Sequence, residues 1–339
     1  MNDIETRLAG HGKFGVGQPV PRNEDPKLVR GRGCYTDDLN LPGQAHAHIV
    51  RSPVAAATVN GLDVEAAREA PGVLAVYTVF DLRAAGYAGQ ACKLPLVNRD
   101  GSKMHAEPRP AFATSEIRHI GEPLAVVVAE TAAQARDAGD LVDADLAPKP
   151  TVTDPVAALA PDAPQVSPDY PGNLCLDYDF GDGDAVERAF ADAAHVSEIE
   201  LVNNRLACAP MEPRAAIAEY DAAHDHLTLH VGSQGVFNLK NTLANDVLKI
   251  DPARLRVLTY DVGGSFGMKI PSYPEYVAIL HAARELKRPV RWRDERSESF
   301  LSDHQGRDSL YKARLALDED GDVTALDVDV VGNLGAYMS

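Results

Sequence analysis

The amino-acid sequence predicts an α+β protein with two main domains. Two observations indicate this class. A strand–helix–strand unit and then a strand–helix unit can be traced between residues 45 and 147, and seven prolines follow within residues 148–172. Prolines at that density prevent regular secondary structure and mark a domain boundary. The length of 339 residues fits this division, because a domain typically has about 100–200 residues.

The first 44 residues are rich in glycine and proline, which predicts an extended arm rather than a packed unit. Asp63 and Thr131 precede periodic segments and predict helix N-caps, and Pro71-Gly72 predicts the end of the first helix. In chain order, the first domain (residues 45–147) is predicted to contain a strand at 45–50, a helix at 64–70, strands at 73–79 and 123–130, and a helix from 132 to about 143.

A proline-rich linker, residues 148–172, leads into the predicted second domain, residues 173–339. This domain opens with a helix at 185–194, capped by Asp182 or Asp184. Its other predicted elements are strands at 198–202, 214–220, 227–231 and 256–260, helices at 239–248 and 275–286, and a hairpin of strands 312–317 and 323–331. The chain stops directly after this hairpin, so we expect either a truncation or a second polypeptide that covers the open sheet.

Composition argues against several classes of function. The formal net charge is −17, whereas a nucleic-acid-binding protein needs a concentrated basic face. No stretch reaches the ~20 consecutive apolar residues that span a bilayer, and the start lacks a basic region followed by an apolar run. We therefore expect a cytoplasmic protein with no nucleic-acid partner and no membrane span.

The four cysteines are isolated from one another in the sequence, at positions Cys34, Cys92, Cys175 and Cys208. Zinc ribbons and iron–sulfur clusters need clustered thiolates, so we expect no metal held by residues of this chain. Each cysteine is expected to be a small buried apolar residue. If the protein catalyses redox chemistry, its electron-transfer centres lie elsewhere.

The segment Asp261–Lys269 (DVGGSFGMK) carries the strongest local signal. A predicted strand leads into three glycines within five residues. Glycine lets the backbone turn sharply and lets a ligand approach the main chain closely, with successive N–H groups able to face an anion. Phe266 would be a packing wedge and Lys269 a countercharge. A tight turn that only lets two elements pack is the alternative interpretation.

The same segment fits the G-x-S-x-G pattern of the serine hydrolases, with Ser265 as the nucleophile. That pattern requires a helix immediately after the turn, but Pro271 and Pro274 occupy the place where this helix would begin. The hydrolase is therefore the weaker alternative. A dinucleotide site is not expected either, because no G-x-G-x-x-G lies between a strand and a helix.

Several further blocks of sequence are weakly specific alone but occur in a definite order. They are residues 17–26 (GQPVPRNEDP), 31–39 (GRGCYTDDL), 51–53 (RSP), 121–129 (GEPLAVVVA), 204–205 (NR), 210–214 (PMEPR), 232–234 (GSQ), 262–269 (VGGSFGMK) and 288–292 (RPVRW). Together they resemble the amino-terminal part of the large, molybdopterin-binding subunit of the molybdenum hydroxylases, the family of xanthine dehydrogenase, aldehyde oxidase and aerobic carbon monoxide dehydrogenase. The resemblance implies a small α/β hammerhead domain and then the first part of a mixed α+β molybdopterin-binding domain.

The resemblance also implies a cofactor and the residues that face it. The cofactor is a molybdopterin-type molybdenum cofactor, in the mononucleotide or the cytosine dinucleotide form, with Fe–S clusters and FAD on partner subunits. Gln234 matches the glutamine whose side-chain amide approaches an oxo ligand of the metal, a role that suits a neutral donor. Gly264, Ser265, Phe266 and Gly267 match the loop whose main chain contacts the cofactor. The family commonly has glycine where this chain has Ser265.

Ile270 bears on the substrate. Purine-oxidising members carry a glutamate at this place that binds the heterocycle. An isoleucine side chain cannot form hydrogen bonds, so an aldehyde, an aromatic N-heterocycle or carbon monoxide fits better than xanthine. Glu212 and Arg214 are interpreted as a buried ion pair or a hydrogen-bonded turn that shapes the site, rather than as catalytic groups.

The family's catalytic glutamate and its arginine-bearing loop belong to the second half of the large subunit. We therefore expect no catalytic residue in this chain and no turnover by the chain alone. The expected partners are the remaining half of the molybdenum subunit, an Fe–S subunit and an FAD subunit, which together form an oxidoreductase. The alternative is a non-catalytic split or truncated subunit that acts in assembly.

Overall fold

The computed structural model describes residues 21–338. The first 20 residues of the predicted arm therefore lie outside the described residues. The rest of the arm contains a short helix, Asp25–Leu28, and a single 3-10 turn, Thr36–Asp38. The arm is fixed to the body by Asp261, whose carboxylate accepts hydrogen bonds from the main-chain N–H of Cys34 at 2.8 Å and from Nζ of Lys27 at 2.9 Å.

The strands and helices of the described region are numbered here in chain order. The strands are β1 (Ala45–Arg51), β2 (Ala57–Asp63), β3 (Val73–Thr78), β4 (Glu116–Ile117), β5 (Pro123–Ala129), β6 (Asp143–Pro148), β7 (His195–Asn203), β8 (Ala215–Asp221), β9 (His226–Val231), β10 (Leu255–Leu258), β11 (Val290–Arg293), β12 (Ser309–Leu317) and β13 (Val323–Gly332). The helices are α1 (Asp25–Leu28), α2 (Glu65–Arg68), α3 (Val79–Ala84), α4 (Ala132–Gly139), α5 (Gly183–Ala191), α6 (Val236–Asn241), α7 (Pro274–Leu286) and α8 (Arg296–Ser302), and a π-helical turn (Thr242–Leu248) continues α6.

A seven-stranded mixed sheet forms the centre of the molecule, in the order β10-β9-β8-β11-β1-β5-β3. Strand β1 joins its two parts, because it pairs in parallel with β11 and antiparallel with β5. Every residue of β5 is buried, as expected for a continuous apolar run covered on both faces. Helix α7 packs against the sheet and buries Tyr276, Ile279 and Leu280 in the same cluster as Trp292.

Two three-stranded sheets flank this centre. In one, β2 pairs with β4 and β6, and in the other, β12 lies between β13 and β7. The seven-stranded sheet takes strands from both sides of the proline-rich segment, so these two parts of the chain share one sheet. The division into domains at residues 148–172 stays a prediction.

Most predicted elements are found, and the N-caps of two of the three helices lie where the sequence placed them. At the first helix the N-cap is Val64 rather than Asp63, although the Asp63 carboxylate accepts from the N–H of Glu65 at 2.9 Å. The hydroxyl of Thr131 accepts from the N–H of Gln134, and the carboxylate of Asp182 accepts from that of Ala185. The first helix is shorter than predicted, and the second ends at Gly139 instead of continuing to residue 143. The segment that follows it, β6, is a strand that the sequence analysis missed, together with its partner β2.

Helix α3 and the exposure of the cysteines also differ from expectation. The apolar run was predicted to stay extended through Val79, but Asp81 accepts from the N–H of Thr78 at 2.6 Å and forms a capping box that starts a helix. None of the four cysteines is buried, and Cys34 is exposed, so the expectation of buried thiols was wrong. Nothing helical within residues 21–338 is long and apolar enough to cross a bilayer.

Candidate functional site

The glycine-rich segment lies between β10 and α7 and has the tight turns that its sequence predicts. Gly264 and Gly267 have φ values of +102° and +94°, a region that L side chains rarely adopt. Gly263 is required for a different reason. A Cβ at this position would lie 2.5 Å from Cβ of Glu212. The segment that packs closely against the Gly263 backbone is therefore the one that carries Glu212, and not a ligand.

Gln234 lies beside this loop and contacts it through its side-chain oxygen. Oε1 of Gln234 accepts hydrogen bonds from Oγ of Ser265 at 2.6 Å and from the main-chain N–H of Gly267 at 3.1 Å. The main-chain N–H of Gln234 donates to the carbonyl of Lys269 at 3.2 Å. The structure therefore brings Gln234, Ser265 and Gly267 together, as the sequence analysis expected.

Several hydrogen-bond donors of the loop and of Gln234 have no acceptor in the part of the chain that the structure describes. Among residues 21–338, no acceptor is found for the main-chain N–H groups of Gly264, Ser265 and Phe266, nor for the Nε2 amide of Gln234. Unpaired donors are acceptable here because the Gln234 and Phe266 side chains are exposed. The arrangement can bind a group rich in acceptor oxygens.

Lys269 is not the free countercharge that the sequence suggested. Its side chain is only 1% exposed, and Nζ donates to Oε2 of Glu212 at 2.8 Å and to the Glu212 carbonyl at 2.9 Å. The Gly263 N–H donates to the same carboxylate oxygen at 2.7 Å. Burial lowers the pKa of Lys269, and the Glu212 carboxylate opposes this shift. Glu212 therefore holds both ends of the loop, Gly263 through its N–H and Lys269 through its side chain.

Glu212 and Arg214 were expected to form a buried ion pair or a hydrogen-bonded turn. They do not pair with each other, and each forms an ion pair with a different partner. Arg214 is fully buried and donates to Oε2 of Glu275 at 2.9 Å and to Oδ1 of Asp303 at 2.6 Å. Its guanidinium also lies 3.7 Å from the ring centre of Tyr273, a favourable cation–π distance. Sequence reasoning missed this cluster, since its members are 61 and 89 positions apart.

A second arginine completes the buried cluster. Arg51 donates to Oε1 of Glu275 at 2.6 Å and, through Nε, to Oε1 of Glu298 at 2.7 Å. Burial would raise the pKa of Glu275, but the guanidinium groups of Arg214 and Arg51 hold it far below its usual range. Glu275 lies in the first turn of α7, directly after the loop, so the cluster fixes where that helix begins.

Asp294 is an excess carboxylate in this cluster. Its Oδ2 lies 3.6 Å from Nη2 of Arg214 and accepts from Oγ of Ser299 at 2.8 Å. Its Oδ1 is buried and has no partner within the described part of the chain. Because the two arginines already face Glu275, Glu298 and Asp303, burial raises the pKa of Asp294 to about 8. Asp294 therefore keeps its proton to a higher pH than an exposed aspartate does.

Replacing Asp294 by asparagine should make the free energy of unfolding less sensitive to a rise in pH between about 4 and about 8. A group whose pKa is raised by folding favours the folded state below its unfolded pKa, about 3.9. That contribution is lost as the pH rises towards the folded pKa of about 8. The asparagine side chain has the shape of the neutral acid and does not titrate. The free energy of unfolding of the variant should therefore rise relative to that of wild type by up to about 1.4 kcal/mol for each pH unit within this window. Urea unfolding at pH 5 and pH 8 measures this change, and an equal difference at both pH values would contradict it.

Ile270 and Phe266 leave an apolar surface beside the donors. Their side chains are 47% and 74% exposed, and the N–H of Ile270 donates to the Gly267 carbonyl at 3.2 Å. Phe266 itself has a φ of +52°, a strained value for an aromatic residue. The predicted role of Phe266 as a buried packing wedge was therefore wrong, since its ring faces outward.

The geometry does not fit the serine hydrolase. Oγ of Ser265 donates to the amide oxygen of Gln234 and accepts from the N–H of Lys269 at 3.1 Å, whereas a nucleophilic serine needs a base. The helix that follows the turn begins only at Pro274. Within residues 21–338, no group of three His, Cys, Asp or Glu side chains could hold a metal ion.

Comparison with known proteins supplies the deciding observation. Residues 166–339 match the family model of the molybdopterin cofactor-binding domain, and residues 30–150 match that of the aldehyde oxidase and xanthine dehydrogenase a/b hammerhead domain. The chain belongs to the molybdenum hydroxylase family. The α+β architecture predicted from the sequence, a hammerhead domain followed by a molybdopterin-binding domain, is confirmed.

Curated relatives of this molybdenum hydroxylase chain agree with that assignment. It is 34% identical to the nicotine 6-hydroxylase large subunit of Paenarthrobacter nicotinovorans, over 95% of this chain and 38% of the relative. It is 30% identical to the carbon monoxide dehydrogenase large chain of Hydrogenophaga pseudoflava, over 93% of this chain and 39% of the relative. The chain thus spans about two fifths of the length of these relatives.

Solved structures of the family share the fold. Quinoline 2-oxidoreductase from Pseudomonas putida 86 superposes with a TM-score of 0.82 at 31% identity, covering 93% of this chain and 39% of that one. A Cu,Mo-containing carbon monoxide dehydrogenase gives the same TM-score at 28% identity, covering 93% and 40%. The family's homologues are oxidoreductases of the molybdenum hydroxylase type, so the hydrolase alternative has no support.

Proposed function

We propose that this chain forms one wall of the active site in a molybdenum-cofactor-dependent hydroxylase, with Gln234 and the loop from Gly264 to Gly267 facing the cofactor. One observation carries the proposal. The amide NH2 of Gln234 and three successive loop N–H groups lack acceptors within the described residues and lie around the same turn.

The donor set fits the group that it is proposed to hold. A molybdopterin cofactor presents phosphate and other oxygen acceptors, and this wall presents the unpaired N–H groups of the loop and the NH2 group of Gln234. When bound, the cofactor supplies the two-electron oxidation of the substrate. The amide of Gln234 supplies a neutral donor that does not titrate, and the Glu212–Lys269 pair keeps the loop in place through its 2.8 Å contact.

Ile270 supports a substrate that needs no carboxylate for recognition. Its exposed, apolar side chain lies three residues beyond Gly267 and cannot hydrogen-bond the ring nitrogens or carbonyls of a purine. Relatives named for nicotine and carbon monoxide, and a solved structure named for quinoline, match the chain over at least 93% of its length. An aldehyde, an aromatic N-heterocycle or a similarly small substrate is therefore proposed.

The chain is proposed to work only within a complex. Its relatives are about 2.5 times longer, so the catalytic base is proposed to come from the part of the molybdenum subunit that this sequence does not cover. Partner subunits with Fe–S clusters and FAD would take the electrons. The proposed cofactor is a molybdopterin-type molybdenum cofactor, in the mononucleotide or the cytosine dinucleotide form.

Oxidation assays on the purified complex test the proposal. The complex should reduce an artificial electron acceptor with benzaldehyde, quinoline, nicotine or carbon monoxide, and should not do so with xanthine. The isolated 339-residue chain should show no turnover with any of them. Turnover by the isolated chain, or xanthine as the preferred substrate, would contradict the corresponding part of the proposal. A stable complex that oxidises none of them would favour the non-catalytic alternative.

A further inference from the structure

The side chain of Gln234 ends in an oxygen and an NH2 group of similar size, so its surroundings decide which end faces the site. Two donors converge on a single terminal atom of this side chain. The Gly267 N–H lies 3.1 Å from that atom, and Oγ of Ser265 lies 2.6 Å from it. An N–H can only donate, so the atom between these two groups must be the oxygen.

The direction of the Ser265 hydroxyl bond is also fixed. A hydroxyl can both donate and accept, and Oγ of Ser265 already accepts from the main-chain N–H of Lys269 at 3.1 Å. Its own hydrogen is thereby free to point at Gln234. The side chain of Lys269 is held by Glu212 in a buried ion pair. A series of hydrogen bonds therefore runs from this pair through Ser265 to Gln234.

We propose that Ser265 is a positioning residue that holds the oxygen of Gln234 towards the loop and turns the Gln234 NH2 towards the molybdenum site. This inference rests on the proposed function of that site. With glycine at position 265, only the Gly267 N–H would hold the oxygen, and the amide could rotate more freely. Ser265 thus has a role here that a glycine at the same position cannot have.

The Ser265→Ala variant tests this role in the assembled complex. It removes the hydroxyl and keeps Cβ, so the backbone of the loop keeps its preferences. We expect kcat to fall about three- to tenfold, the range for losing one neutral hydrogen bond, with an unchanged KM. The molybdenum content should equal that of wild type, and the electron paramagnetic resonance signal of Mo(V) should shift because a donor beside the metal is displaced.

A second variant distinguishes the positioning of the Gln234 amide by Ser265 from a general effect of Ser265 on the stability of the loop. Gln234→Glu keeps the two acceptor contacts and removes the NH2 group, so adding Ser265→Ala in that background should change neither the Mo(V) spectrum nor kcat further. Wild-type kcat and spectrum in Ser265→Ala would overturn the inference and leave the proposed function intact. Loss of molybdenum from Ser265→Ala would also overturn it, since the hydroxyl would then hold the cofactor or the loop. A wild-type complex without molybdenum would overturn both proposals.

Discussion

Replacing Gln234 by glutamate is expected to lower the turnover of the assembled enzyme about 100- to 1000-fold, the range for losing one preorganised donor at a reacting centre. The substitution keeps the shape of the side chain. The carboxylate can still accept from Ser265 and Gly267, which lie 2.6 and 3.1 Å from the present oxygen. The substitution removes the NH2 donor and puts a negative charge in its place. This charge would repel the oxygen atoms of the proposed cofactor.

Steady-state oxidation by the purified complex measures this effect, with molybdenum content determined on the same sample. Gln134→Glu is the matched control, because Gln134 lies in the first turn of α4, where a glutamate completes a capping box. The control should keep wild-type turnover. Wild-type turnover in Gln234→Glu, with normal molybdenum content, would contradict the role proposed for the amide.

Replacing Arg214 by methionine is expected to lower the free energy of unfolding by about 3–5 kcal/mol, the range for breaking a buried ion pair by removing one partner. The guanidinium of Arg214 contacts Glu275 and Asp303 at 2.9 and 2.6 Å in a fully buried position. Without it, Asp303 loses its ionic partner and Glu275 keeps only Arg51. The start of α7, and with it the end of the glycine loop, should lose its support.

Urea unfolding of the full chain, followed by circular dichroism, measures this loss. Arg68→Met is the matched control, because Arg68 pairs with Glu65 on an exposed helix surface, where such pairs contribute at most about 1 kcal/mol. Methionine is also a good helix former. Equal losses in the two variants would show that the buried cluster has no special importance for stability.

The sequence predicted those features whose cause is local. The glycines at 263, 264 and 267 indicate sharp turns and close approach wherever they occur, and two of them have the expected positive φ. The buried strand β5 and the caps at Thr131 and Asp182 were visible for the same reason, since each depends on neighbours within a few positions. The resemblance of the ordered blocks gave the family.

Features that depend on distant pairing could not be predicted. Lys269 was expected to face an anion, but its partner Glu212 lies 57 positions away and only the fold brings them together. Strands β2 and β6 pair with each other and carry polar residues on their exposed face, so neither has a strong apolar pattern. The hydroxyl of Ser265 reaches Gln234 across 31 positions, which no sequence periodicity indicates.

The molybdenum content of the purified protein tests the central claim most directly. The chain is co-expressed with the polypeptides that complete its complex, in cells supplied with molybdate, and the metal is measured by elemental analysis against protein concentration. The account predicts about one molybdenum per copy of this chain, together with a released pterin on denaturation. A folded, intact complex that contains neither molybdenum nor pterin would contradict it.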